Sequence, residues 1–104
     1  MSRKPYKQFH HGKELPKTSF GRKPMKWFPW TYIDTYNADT GSFRSRRKFG
    51  SDGLAYKDMD AADEVHKGDH IHDIHCGQRS KNPRKPNKYE RKEFKKAKKK
   101  RRFL

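Results

Sequence analysis

Apolar side chains are scarce in this chain, at 29% of its 104 residues. So little apolar material can bury one small core and excludes a second domain. Cysteine occurs once, as Cys76. That excludes an internal disulfide and fits a reducing compartment, so the cytoplasm is expected, or a transient extracellular life. No run approaches the roughly 18 apolar residues that a membrane span needs. The N-terminus also lacks the apolar stretch of a secretory signal. Acidic residues are few as well, 12 against 28 Lys and Arg, for a formal charge of +16.

That charge is unevenly placed. Residues 1–26 carry eight Lys/Arg against one Glu, residues 27–78 six against nine Asp/Glu, and residues 79–104 fourteen against two. A mildly acidic centre between two basic arms is the footprint of a protein that meets a polyanion. Nucleic acid is the expected partner, because neutralising phosphates releases counterions and rewards unpatterned positive charge. A membrane surface is not expected, since neither arm has the continuous apolar face of an interfacial helix.

Aromatic residues make up 13% of the chain and supply much of the burial a small core can have. Residues 1–26 show no sustained period and read as an irregular basic arm in which His10 and His11 are solvated. The aromatic knot Lys26-Trp27-Phe28-Pro29-Trp30 reads as a segment leading into the sheet, its indoles capping the core or, alternatively, stacking on unpaired bases. Strands are expected over 31–36, 42–49 and 54–60, joined by turns at Gly41 and at Asp52-Gly53. A short fourth strand is expected over 70–75, after a connection with a helical turn from Ala61 to His66.

Strand alternation puts Ser42, Arg44, Arg46 and Lys48 on one face as a basic outer stripe, and Phe43, Ser45, Arg47 and Phe49 on the other. Arg47 then either snorkels at the core edge or reaches a buried carboxylate or a bound phosphate. Residues 77–86 read as a linker. Asn87 and Glu90 form a capping box that opens a basic helix over 88–102, whose Tyr89, Phe94 and Ala97 are too sparse to dock it firmly.

Four of the six histidines gather in residues 66–75. Three chemistries compete for them. A metal site could draw on His66, Asp69, His70, His72, Asp73, His75 and Cys76, although no paired Cys-x-x-Cys or His-Glu-x-x-His spacing is present. A metal-dependent nuclease of the His-Asn-His kind is suggested by Asp69-His70-Ile71, but it needs a later histidine ligand and none follows His75. Metal-independent RNA cleavage needs a base, an acid and cations, which His70 and His72 on one strand face and Arg46, Arg47, Lys48 and Lys57 nearby can supply. Clustered histidines can also be no more than polar surface.

Arg46-Arg47-Lys48-Phe49, Ser51-Asp52-Gly53-Leu54-Ala55, Tyr56-Lys57-Asp58-Met59-Asp60 and His70-Ile71-His72-Asp73 together resemble the C-terminal nuclease-like toxin domains of bacterial polymorphic toxins. The resemblance covers about residues 31–75. It implies a small α+β nuclease-like fold, RNA cleavage, and site roles for Arg46, Arg47, Asp58, Asp60, His70 and His72. Since the chain starts at Met1 without a delivery module, a free-standing relative is expected.

The expected architecture is α+β: a small antiparallel sheet of three to four strands over 27–78, a basic N-terminal arm over 1–26, and a basic linker and helix over 79–104. The expected function is a toxin-like, metal-independent ribonuclease with no cofactor and no bound metal. His70 and His72 are its acid and base, Arg46 and Arg47 hold the phosphate, and Asp58 or Asp60 orients a histidine. Arg44, Lys48, Lys57, Arg91, Lys95, Lys98 and Arg102 are expected to bind nucleic acid, RNA above all. The alternative is a non-catalytic nucleic-acid-binding accessory protein of a phage or mobile element. An acidic immunity or partner protein is a further expected contact.

Overall fold

Both expected turns form around a glycine with positive φ, 72° at Gly41 and 78° at Gly53. At Gly53 an added Cβ would lie 2.5 Å from the Trp27 carbonyl oxygen, so the turn and the segment packed on it both require glycine. In the computed structural model, residues 6–10, 13–14, 23–37, 40–62 and 67–99 are described. The chain runs through β1 (Tyr6–His10), β2 (Lys13–Glu14), β3 (Tyr32–Asn37), β4 (Phe43–Phe49), β5 (Ala55–Asp60), β6 (His70–His75) and β7 (Gln78–Arg79) to helix α1 (Lys88–Lys99), the Gly41 turn joining β3 to β4 and the Gly53 turn β4 to β5.

The strands lie in the order β2-β1-β3-β4-β5-β6-β7, every neighbouring pair antiparallel. The chain is therefore α+β with one open antiparallel sheet and a C-terminal helix. The expected three to four strands are too few. β1 and β2 come from the stretch read as an irregular arm, and β7 from the stretch read as a linker. The β6–β7 hairpin is closed by Cys76 and Gly77 alone, with φ of 50° and 78°, the doubly positive pattern of a type I′ turn. The helical turn expected from Ala61 to His66 falls mostly on residues 63–66, outside the described residues.

One extra residue in β4 decides which side chains share a face. Thr35 pairs with Ser45 but Tyr36 with Phe43, so the register shifts by a bulge at Arg44. Phe43 is thereby moved to the same face as Arg46 and Lys48, against simple alternation. That face is covered by α1: Phe9, Tyr36, Phe43, Met59 and Ile71 pack with Phe94 and Ala97. The expected basic outer stripe is thus partly under a helix.

The helix docks more firmly than its few apolar residues suggest, because two glutamates complete its inward stripe. Glu90, Glu93, Phe94 and Ala97 follow the i, i+3, i+4, i+7 spacing of one helix face. Glu93 pairs with Arg46 at 2.8 Å and Lys48 at 3.0 Å, and Glu90 with Lys57 at 2.7 Å and Arg84 at 2.8 Å. The capping box forms as expected: Glu90 N–H donates to Asn87 Oδ1, and Asn87 N–H donates to Glu90 Oε1.

The opposite face has an apolar half and a polar half. Ile33, Phe49, Ala55 and Ile74 form its core, with Trp27 packed on them. Trp27 thus caps the core as expected, whereas Trp30 is exposed. His10 is stacked on Phe28 at 5.5 Å and meets Trp27 edge-on, so it is part of this aromatic group. The segment from Lys23 to Trp27 is tied to the sheet by Ala55 N–H donating to the Met25 carbonyl and Trp27 N–H donating to the Gly53 carbonyl.

Candidate functional site

Sheet register assembles the polar half. Arg47 lies opposite Asp58 in the β4–β5 pair, and Asp58 and Asp60 lie opposite His72 and His70 in the β5–β6 pair. The two-residue spacing within each strand turns all of these side chains to the face away from α1. β7 then returns beside β6 and brings Arg79 to the same face.

Asp58 is the pivot, with only 2% of its side chain exposed. Arg47 grips it with two hydrogen bonds, Nε to Oδ1 at 2.7 Å and Nη2 to Oδ2 at 2.8 Å. The remaining Arg47 nitrogen donates to the carbonyls of Lys23 and Pro24. Of the destinations open to Arg47 in the sequence, the buried carboxylate is the one it reaches. Burial would raise the Asp58 pKa, but the hydrogen bond from Arg47, the charges of Lys23 and Arg47 and the hydrogen bond from Arg79 hold it below the usual carboxylate range.

Arg79 spans the two carboxylates, Nε to Asp58 Oδ2 at 2.9 Å and Nη2 to Asp60 Oδ2 at 2.6 Å. Asp60 Oδ2 in turn lies 3.8 Å from His70 Nε2 and 3.9 Å from His72 Nε2. Both rings are held from behind. His70 Nδ1 is 3.0 Å from the Gly68 carbonyl oxygen, and His72 Nδ1 is 2.7 Å from that of Ser80. A carbonyl oxygen only accepts, so each Nδ1 carries the proton, and in the neutral ring each Nε2 presents its lone pair toward Asp60.

Lys23 completes the group, its Nζ donating to Ser45 Oγ. The protein packed around its amine pushes the pKa down, against the pull of Asp58 and Asp60, and Arg47 and Arg79 add to the lowering. The assembly therefore joins two imidazoles, two carboxylates, two guanidinium groups and a buried lysine amine. Proton transfer, stabilisation of an anion, and metal ligation by Asp60, His70 and His72 are all within its chemistry. Nitrogen and oxygen atoms of those three residues lie within 4.8 Å of one another.

Of the residues singled out in the sequence, His70, His72, Asp58, Asp60 and Arg47 come together here. Arg46 does not: it lies on the α1 face, paired with Asp34 at 2.6 Å and with Glu93, and stacked 3.8 Å over the Tyr32 ring. Among the wider metal candidates, Asp69 pairs with Lys98 and Asp73 with Arg84, while His75 and Cys76 are exposed and His66 lies outside the described residues.

The expected nucleic-acid contacts divide as well. Lys48 and Lys57 are engaged by the helix glutamates, and Arg44 donates to the Ala62 carbonyl. Arg91, Lys95 and Lys98 line an open hollow of about 450 Å³ together with Asp69, Pro86 and Phe94. Arg102 lies outside the described residues.

Sequence reasoning misses Lys23 and Arg79. The signal for Arg79 is the Cys76-Gly77 pair, since a two-residue hairpin after a strand places the residue two beyond Gly77 back beside that strand. Lys23 had no such signal, because it reaches the site by long-range packing of an irregular segment. No helix among the described residues is long and apolar enough to cross a membrane. No family model, no curated protein and no solved structure matches this chain.

Proposed function

We propose that this chain is a toxin-like ribonuclease that cleaves RNA without a metal, by attack of a ribose 2′-hydroxyl on the adjacent phosphodiester. One imidazole takes the hydroxyl proton at Nε2. The other, protonated, gives its proton to the departing 5′-oxygen, leaving a 2′,3′-cyclic phosphate and a free 5′-hydroxyl. Arg79 supplies positive charge for the crowded phosphorus centre, and Asp60 steadies whichever ring is protonated. Arg47 and Asp58 are positioning residues, and Arg46 has no part.

The observation that supports this reading is the convergence of two Nε2 atoms on one carboxylate oxygen, each ring fixed at Nδ1 by a backbone carbonyl, with Arg79 on that same oxygen. The exposed cations of α1 and the hollow lined by Arg91, Lys95 and Lys98 add non-specific affinity for the RNA backbone. An acidic immunity protein is the protein partner that suits such a surface.

The test is incubation of purified protein with total RNA and with tRNA, with and without EDTA, beside a His70→Ala/His72→Ala double variant. Cleavage that survives EDTA and disappears in the double variant is expected. The exposed basic face of α1 favours one second reading, a nucleic-acid-binding accessory protein. Salt-sensitive RNA binding by a wild type that never cleaves is the result that would establish it.

A further inference from the structure

The geometry that suits proton transfer also suits a cation. His70 and His72 are alternate residues of one strand, and Asp60 lies across the ladder from His70. Their facing atoms are 3.8 and 3.9 Å apart where the carboxylate meets each ring. A tetrahedral zinc ion with ligand bonds of about 2.0–2.1 Å separates its donors by roughly 3.3 Å, so each carboxylate–ring separation closes by about half an ångström and the two rings, whose donor atoms lie within 4.8 Å of each other, by up to about 1.5 Å.

A second observation points the same way. Imidazole ligands are held in one tautomer by donating the other ring N–H to a carbonyl or carboxylate, which raises their basicity and fixes their aim. Both rings have that support, from the Gly68 and Ser80 carbonyls. Asp60 is itself oriented by Arg79. All three side chains are at least four-fifths buried, so little conformational freedom is lost on binding.

We propose that Asp60, His70 and His72 form a binding site for one divalent cation of the zinc class. Two nitrogens and one carboxylate oxygen select such an ion over magnesium or calcium, which take oxygen ligands. Three protein ligands leave the fourth position to water. The ion binds to the lone pairs that take the proton in RNA cleavage, so occupancy and cleavage exclude each other. That consequence rests on the ribonuclease reading; the binding itself does not. Arg79 opposes the ion by charge, which sets a moderate affinity and lets free zinc act as a reversible brake.

The test begins with EDTA-treated, dialysed full-length protein, titrated with Zn²⁺ against a chromogenic chelator and with Co²⁺ for the absorption bands of a tetrahedral site. One ion per chain is expected, with Cys76→Ser and His75→Ala unchanged. His72→Ala and Asp60→Asn should each weaken it by at least about tenfold, and Arg79→Gln should tighten it. Melting of wild type with and without Zn²⁺ provides a readout that needs no variant, and added Zn²⁺ should raise the midpoint.

Absence of a one-to-one complex in wild type, or a complex lost with Cys76→Ser and kept in His72→Ala, overturns the proposal. An RNA assay run alongside separates the two readings. Zinc binding by a protein that cleaves nothing in EDTA keeps the cation site and removes the ribonuclease; cleavage indifferent to saturating Zn²⁺ removes the brake.

Discussion

The two faces of the sheet use the same kinds of side chain to different ends. Under α1, Arg46, Lys48, Lys57 and Arg84 meet Asp34, Asp73, Glu90 and Glu93, and these pairs glue a helix with few apolar residues to a sheet. On the other face Arg47, Arg79 and Lys23 surround Asp58 and Asp60, and two histidines are added. A buried ion pair gives little net stability over an apolar pair, yet removing one partner is costly. Both faces are therefore expected to be intolerant of single charge losses, but among the described residues only the second adds imidazoles to its carboxylates and cations.

The sharpest way to break this comparison is to cut the pivot. Arg47→Ala leaves Asp58 buried with half of its partners and loosens the segment from Lys23 to Met25. A loss of about 3–5 kcal/mol in urea unfolding is expected, and a loss below about 1 kcal/mol would show that Arg79 alone satisfies Asp58. Next comes His72→Ala, which should lower RNA cleavage by about 10³-fold while Arg46→Ala, across the sheet, changes stability and leaves cleavage per folded molecule intact. Equal effects on cleavage from the two variants would erase the functional distinction between the faces.

Acid sharpens the helix side. Burial disfavours ionised Glu90, but hydrogen bonds from Arg84, Lys57 and the Asn87 backbone overcome it and hold its pKa down to about 2, against 4.5 for the free side chain. A folded-state pKa below the unfolded one gives stability that is complete above about pH 4.5 and is lost as the pH falls toward 2. Wild type should exceed Glu90→Gln by about 2 kcal/mol near neutral pH, with the gap closing over that window; a constant gap would mean that packing, not charge, docks the helix. The smallest effect is expected from Gly53→Ala. Its positive φ and the Trp27 carbonyl at 2.5 Å from the new Cβ should cost about 1–2 kcal/mol in melting, with cleavage kept.

The central strands and their turns were legible because Tyr32–Asn37, Phe43–Phe49 and Ala55–Asp60 combine β-branched or aromatic residues with glycine-bearing turns. The helix start was legible from Asn87 and Glu90. Its docking was not, since a stripe that alternates glutamate with Phe94 and Ala97 does not register as amphipathic until its basic counterpart on the sheet is seen. The face of Arg46 was misplaced relative to Phe43 because a bulge leaves no mark in a strand of mixed Ser and Arg. In the site, His70 and His72 were readable from two-residue spacing on one strand, whereas Asp58 and Asp60 were singled out only through the resemblance that Lys57-Asp58-Met59-Asp60 helps to carry. Lys23 was not readable, because it arrives on a segment without period, and Arg79 was missed because its signal, the Cys76-Gly77 turn, lies in a stretch read as a linker.

Strands β3 to β7 pair in the order in which they are made, each with its sequence neighbour. Contacts of that kind close short loops and form quickly. The carboxylates and histidines should thus be brought together early in folding. Lys23 belongs to a segment that must close across more than 20 residues to reach Ser45 and Arg47. On the same ground its docking should come after the sheet, so that the site acquires its lysine last.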